Sequence, residues 1–390
     1  MAAAVLIASH THAGPRDQVK RIHDRVVGVP PSQAFLDAWA SEVGTRPADV
    51  AWAAMQEPGF YDVTLKNLAK PWTNRDRSVF VPLNDYVATF VGMVRDGVDI
   101  RQILYGDVLY VADPALGLPA YSTSNNQHYE ALENSGASMQ SALVARQQSA
   151  VTGLPAAATA GLTTTRAAAK AFFIAGTNRA MFRYTLLNQL CTDLEQLQDT
   201  SLPADRIRQD ISRSPGGDSR IFLNNCISCH NGMDPLAQAY AYYNYSYDVN
   251  ADPDGNNGQI TYNSAGAKDP VTGSRVVAKY HINSTNFEPG YVTPDDQWDN
   301  YWRKGINSLL GWDSALPGSG SGAKSMGREL AHSDAFATCQ VTKVFQAVCL
   351  RPPSDGADRA QVASMVSNFA SQNYDLRQPF ADAAVYCMGD

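Results

Sequence analysis

Residues 226–230 read Cys226-Ile227-Ser228-Cys229-His230, a C-x-x-C-H pattern in which each residue type has a chemical task. Two thiols at this spacing can form thioethers with the two vinyl groups of one haem. The histidine that follows is then set beneath the iron as an axial ligand. With 6 Cys and 7 His in 390 residues, the pattern would arise by chance about 0.002 times per chain. A disulfide beside a surface histidine, or half of a zinc site, is the alternative. Zinc would need a second closely spaced Cys or His pair, but the other cysteines are dispersed and His281 and His332 stand alone. The motif points to one covalent haem c held by Cys226, Cys229 and His230, the last as proximal iron ligand.

Whether such a haem carries electrons or catalyses turns on its sixth ligand. The downstream candidates are Met233, His281, Met326, His332 and Met388. Met233 lies just past His230, on the proximal side, and Met388 follows a cysteine read below as disulfide-bonded. His332 falls in the first turn of the final helical unit. Met326 closes a Gly/Ser loop just before that unit, a place that resembles that of the distal methionine in small cytochromes c, and it is the assigned distal ligand. His281, in an expected strand, is the runner-up and would lower the potential relative to methionine. A core methionine with an open iron is the remaining alternative.

Two further constellations stand near the motif. Asp248, Asn250, Asp252 and Asp254 alternate before Gly255 at the spacing of a calcium loop, but the twelfth position counted from Asn250 is Thr261 rather than a bidentate Glu. They are candidate calcium ligands, with a solvated Asx-rich turn as the bland alternative. Tyr240, Tyr242, Tyr243, Tyr245 and Tyr247 could shield a haem, relay oxidising equivalents or bind sugar; ordinary packing with hydroxyls reaching water is the simpler reading. His23 and His128 are isolated. No nucleophile-elbow or other hydrolase signature stands out.

The elements that must position these residues are mainly helical. Val19, Ile22 and Val26 share one face before Gly28; Ser32 caps a helix carrying Phe35, Trp39 and Val43; Thr45 and Pro47 open another; Asn84 caps 85–96. Residues 98–160 are looser and polar. Helices are expected near 165–175 and 178–198, with a short one from Pro203. Ser214-Pro215-Gly216-Gly217 is a breaker, after which Asp218 caps a helix whose last turn holds the motif cysteines. Residues 248–297 are Gly-, Asn-, Asp- and Pro-rich, with a β-like run at Ser274–Ile282. Helices at 334–350, 357–371 and 377–387 close the chain. The fold class is thus mainly α: a multi-helix region (14–213), a cytochrome c-like haem module with long irregular loops (214–325) and a C-terminal helical unit (326–390).

The remaining cysteines constrain that unit. Cys339 and Cys349 lie on one expected helix, about 15 Å apart, too far to bond to each other. Antiparallel return of the last helices brings Cys387 toward Cys349, which leaves Cys191 for Cys339.

Composition excludes several classes. A net charge of −7 with no long basic run argues against nucleic acid and anionic membrane surfaces. No stretch approaches the apolar length that spans a bilayer. Residues 1–13 resemble a truncated signal peptide, with an apolar Ala2–Ala8 run and a small-residue pattern at Thr11-His12-Ala13. Haem c attachment and an even number of leftover cysteines favour export to the periplasm, cell surface or medium.

The segment from Cys226 through Asp234-Pro235-Leu236 to Tyr240 is similar to the haem module of the planctomycete-type single-haem cytochromes of unknown function. In that family the attachment motif is followed by Asp-Pro-Leu/Ile and an aromatic-rich helix. Ala160–Thr164 before Thr177-Asn178-Arg179, Leu330–Phe336 and, more weakly, Ile103–Val108 extend the resemblance over much of the chain, though only the haem segment is specific. Ala237 and Gln238 depart from it, standing where the family often has Gly and a small apolar residue. The resemblance implies an exported haem carrier, often found near polymer-degrading systems, in a family whose activity is itself undefined.

The expected function is therefore an exported mono-haem c-type cytochrome passing electrons to a redox partner protein or neighbouring subunit. With one motif there is no internal wire, so electrons must enter and leave at an exposed haem edge or through contact with a neighbour, and a carrier is expected rather than a catalyst. A peroxidase- or oxygenase-type enzyme with an open sixth site is one alternative. The other is a haem-containing assembly subunit in a homo- or hetero-oligomer, motivated by the long polar loops at 112–160 and 248–297.

Overall fold

The computed structural model describes residues 13–174, 178–208, 220, 226–281 and 291–389. The signal-like segment, apart from Ala13, and the breaker and cap at 214–218 lie outside the described residues.

Helix Pro15–Val27 buries Val19, Ile22 and Val26, as their spacing requires, and stops at Gly28 with a left-handed φ of 80°. Ser32 caps Gln33–Trp39 by accepting the Phe35 N–H, and Asn84 caps Asp85–Arg95 through the Val87 N–H at 3.1 Å. Asp85–Arg95 is buried nearly all round because neighbours cover it on several sides. A Cβ on its Gly92 would lie 2.1 Å from the Tyr110 ring, so glycine lets strand Leu109–Ala112 close on it. At the far end of the chain, helices Asp334–Cys349, Gly356–Ser371 and Arg377–Tyr386 pack on one another. The last of these also packs on Pro47–Ala54 and Pro15–Val27, so both ends of the chain share one core. That hydrophobic core runs without interruption from Val19 to Ala384.

The strands form three antiparallel pairs among the described residues. Leu109–Ala112 pairs with Leu143–Arg146, Tyr243–Ser246 with Gln259–Tyr262, and Gln297–Asp299 with Ser319–Ser321. The protein is mainly helical, and both expected disulfides are present: Cys191–Cys339 with Cα atoms 5.3 Å apart and Cys349–Cys387 at 5.5 Å.

Several expectations need correction. Residues 98–160 are not loose: they hold the first strand pair and helix Gln127–Ser135. The helix expected over 178–198 ends at Leu190, because Cys191 adopts a left-handed φ of 54° where its disulfide leaves for Cys339. No helix starts at Pro203; the Leu202 carbonyl accepts from Asn231, and Arg208 bridges in parallel to Tyr291. The β-like run expected at Ser274–Ile282 is not a strand over its described residues, 274–281. The Ser274 and Thr272 hydroxyls and the Asp269 carboxylate take up backbone groups of Val276 and Ala278 that a ladder would need, and the segment runs into the 3-10 turn Ala278–His281. A boundary at 325/326 would cut helix Gly322–Ala331, while one at 213/214 lies outside the described residues.

Candidate functional site

Among the described residues the motif opens a helix; the helix expected from Asp218 falls on residues outside them, apart from Arg220. Cys226 is the N-cap of Ile227–Ala237, and its carbonyl accepts the N–H groups of Cys229 and His230, each at 3.2 Å. The turn carrying all three residues is therefore the first, where each next side chain advances about 100° around the axis. Pro235 cannot donate to the Asn231 carbonyl, and the helix ends two residues later.

Cys226 and Cys229 are free thiols, both half-buried, whereas the other four cysteines are oxidised in pairs. Cys229 Sγ lies 3.5 Å from the Leu194 carbonyl, and burial pushes its thiol pKa up. Ile207 packs on Cys226 and Ile227.

His230 is mostly buried, its side chain 18% exposed, and its Nδ1 lies 3.2 and 3.3 Å from the two carboxylate oxygens of Asp234. The two sit one turn apart on the same helix face. Asp234 is fully buried and is gripped from outside the helix. Arg179 Nε donates to Oδ1 at 2.7 Å and its Nη2 to Oδ2 at 2.9 Å, while the Arg208 N–H reaches Oδ2 at 3.2 Å. This is a two-pronged guanidinium–carboxylate pair. Burial opposes ionisation of Asp234, but Arg179 and His230 outweigh it and hold the carboxyl well below the usual range. Burial pushes the His230 imidazole down, against the pull of Asp234. With Nδ1–H directed at Asp234, Nε2 is the ring nitrogen that carries the lone pair a metal needs.

The rest of the helix is anchored by distant backbone. Buried Asn231 donates to the Asp199 carbonyl at 2.6 Å, and the Asp199 N–H returns to the Ser228 carbonyl at 3.0 Å. The Tyr280 hydroxyl donates to the Ala237 carbonyl, and the Arg208 guanidinium lies 4.2 Å from the centre of the Tyr280 ring. Trp302 stacks on Phe182 and closes over Gly232, where a Cβ would meet the indole nitrogen at 2.0 Å.

The structure sorts the other sequence candidates. Met326 is not at the end of a loop: it lies inside helix Gly322–Ala331, fully buried in the main core. That helix and the site helix share strand Gln297–Asp299 and turn Gln238–Tyr240 as neighbours rather than packing closely on each other. His281 ends the turn that carries Tyr280, so its segment touches the site helix. His332 terminates helix Gly322–Ala331 instead of opening the next one, its ring nitrogen on the Arg328 carbonyl. Met233 is buried on the site helix, and Met388 follows the disulfide-bonded Cys387.

Asp248 uses a carboxylate oxygen to accept the N–H groups of Asn250 and Ala251, and Asp252 accepts the Asn257 N–H. These are turn-forming bonds, and no group of three or more Cys, His, Asp or Glu side chains able to hold a metal ion occurs among the described residues. The tyrosines pack as structural residues, but the hydroxyls of Tyr243 and Tyr245 do not turn to water as expected. Tyr243 donates to the Ala158 carbonyl and Tyr245 to those of Gly255 and Gly258. Tyr240 ends the 3-10 turn Gln238–Tyr240, and Tyr243 and Tyr245 lie in strand Tyr243–Ser246 rather than in an α-helix.

Asp234 is the site residue that motif reading left without a role, although its i, i+4 spacing from His230 was a usable signal. Arg179 and Arg208 gave none, since the Arg179–Asp234 pair joins positions 55 apart in sequence. Comparison of the chain with protein-family models, curated proteins and solved structures gives no match.

Proposed function

We propose that this protein is a mono-haem c-type cytochrome that transfers electrons. The observation that carries the reading is the first turn of helix Ile227–Ala237. Two free thiols and an imidazole oriented by a buried carboxylate stand together there, in a chain whose other cysteines are oxidised.

The donor set fits covalent haem. Cys226 and Cys229 would each add S–H across a vinyl double bond, sulfur to one carbon and hydrogen to the other, with no net redox change. His230 would present Nε2 to the iron. When bound, the group supplies one-electron Fe(III)/Fe(II) chemistry. The chain's own part is to hold the ligand: Asp234 fixes the ring through Nδ1–H, Arg179 balances the buried anion, and Asn231 with Trp302 pins the helix. Phe182 and Trp302 keep that flank apolar.

Two disulfides favour an oxidising compartment, so the reading includes export to the periplasm, cell surface or medium. Among the described residues no helix is long and apolar enough to cross a membrane. A redox partner protein or neighbouring subunit would exchange the electron at the motif, where the cysteines are part-exposed. The resemblance to the planctomycete-type cytochromes supports the same reading through Asp234-Pro235-Leu236.

Expression in a host with haem c maturation tests it. The intact mass should exceed the polypeptide by one haem that acid–acetone does not strip. A mass equal to the polypeptide, or a strippable haem, overturns the proposal. Carbon monoxide then separates carrier from enzyme: an unchanged low-spin ferrous spectrum supports the carrier, and rapid tight binding favours an open catalytic iron. Met326→Ala and His281→Ala report which side chain, if either, fills the sixth position.

A further inference from the structure

We propose, resting on the haem reading of Cys226–His230, that Asp234 and Arg179 form a charge clamp that makes His230 a strongly donating ligand and biases the iron toward its ferric state. A ligating histidine normally gives its second ring N–H to an acceptor, which fixes the ring and raises its basicity. The strength of that effect depends on the acceptor. A backbone carbonyl would orient the ring equally well, but here the acceptor is a full carboxylate, with both oxygens within 3.3 Å of Nδ1.

The surroundings keep that charge in place. Asp234 has no exposed side-chain surface, so water does not screen it as it would a surface anion. Arg179 closes on both oxygens, and the Arg208 N–H adds a third external donor. The carboxylate thus cannot rotate away from His230 without breaking charge-assisted bonds.

A buried ion pair is a weak source of stability, because desolvation consumes most of its attraction. Stability alone therefore gives little reason for this pair to sit one turn from His230. Its position is explained if its task is to act on the imidazole. The anion pulls on Nδ1–H, density moves to Nε2, and a more electron-rich donor favours the higher-charged iron. Arg179 sets how much of that pull is left. Both are positioning residues acting through His230.

The test uses the full-length haem protein, with midpoint potential by spectroelectrochemistry and the ferric electron paramagnetic resonance spectrum as readouts. Asp234→Asn keeps the side-chain shape and removes the anion. The ferrous-to-ferric ratio at fixed ambient potential should rise about tenfold, an upward midpoint shift of about 59 mV for one electron. Arg179→Gln should move the midpoint the other way, by a few-fold in the same ratio, because the carboxylate loses its two-pronged counter-charge while the Arg208 N–H still holds it beside His230. Opposite shifts cannot come from loosened structure. If Asp234→Asn fails to fold, the downward shift in Arg179→Gln decides alone. An unmoved midpoint and spectrum in haem-loaded variants, or shifts of the same sign, overturn the clamp. A parent protein without covalent haem overturns the underlying reading instead.

Discussion

The C-terminal helices and the site helix reach order by different routes. In the C-terminal unit, Ser333 caps Asp334–Cys349 through the Phe336 N–H, and Asp355 caps Gly356–Ser371 through the Asp358 N–H. Asp358 accepts from Arg351, Ser354 and Tyr386, all of the same unit. Phe336, Val344, Phe345, Met365, Phe369 and Phe380 supply its buried face. The site helix has no side-chain cap at Cys226. Its partners are Arg179, Asp199, Leu202, Tyr280 and Trp302, brought from sequence-distant segments. The C-terminal unit shares its apolar core with the N-terminal helices, but its caps and the partners of Asp358 are local, so its polar groups depend little on distant segments. A region built from distant partners transmits the state of the whole fold to its side chains, which suits a redox site.

The two disulfides probe this contrast most strongly. Cys191–Cys339 ties the segment after helix Arg179–Thr185 to the C-terminal unit across 148 residues, while Cys349–Cys387 stays within the unit and spans 38. Loop-closure entropy gives about 5 kcal/mol for the first and about 4 kcal/mol for the second. Urea unfolding of Cys191→Ser/Cys339→Ser and Cys349→Ser/Cys387→Ser should reproduce that order. Only the first pair should also shift the spectrum of a haem-loaded protein, and a spectral shift from the second would break the comparison.

Two glycines sharpen it at smaller cost. Gly232→Ala places a methyl on the Trp302 indole in a packed site and should destabilise by about 1–3 kcal/mol. Gly356→Ala opens a C-terminal helix with nothing within 4 Å of the new methyl, so it should stabilise by up to about 1 kcal/mol. Thermal melts of the two variants should move in opposite directions; equal losses would show that the unit is as tightly constrained as the site.

The smallest effect concerns acid. The Arg351 guanidinium, with the Ser354 N–H and Tyr386 hydroxyl, holds the Asp358 carboxyl far below its ordinary value. The folded state thus releases this proton more readily than the unfolded chain. The stabilisation is complete above an unfolded carboxyl pKa of about 3.9 and is lost as pH falls below it. Asp358→Asn should therefore melt lower than the parent at pH 7 and lose less on moving from pH 4 to pH 2. Parallel losses in the two proteins would remove Asp358 from the acid response.

The sequence by itself determined what local rules govern. The C-x-x-C-H spacing named its three residues, and 3.6-residue periodicity with Ser32, Asn84 and terminal glycines placed the helices at both ends. Helix geometry forbade Cys339 from bonding Cys349, and the antiparallel return of the last helices favoured Cys387 as the partner of Cys349, which is the pairing the structure has. Tertiary structure decided the rest. A stop at Cys191 depends on a disulfide to a residue 148 positions away, and the loss of a strand over 274–281 on side chains capturing its backbone. The burial of Met326 depends on what its helix packs against. The grip of Arg179 on Asp234 joins two ordinary surface-type residues whose spacing carries no period. Periodicity reports which face of an element turns inward; it does not report which buried charge another element will bring to meet it.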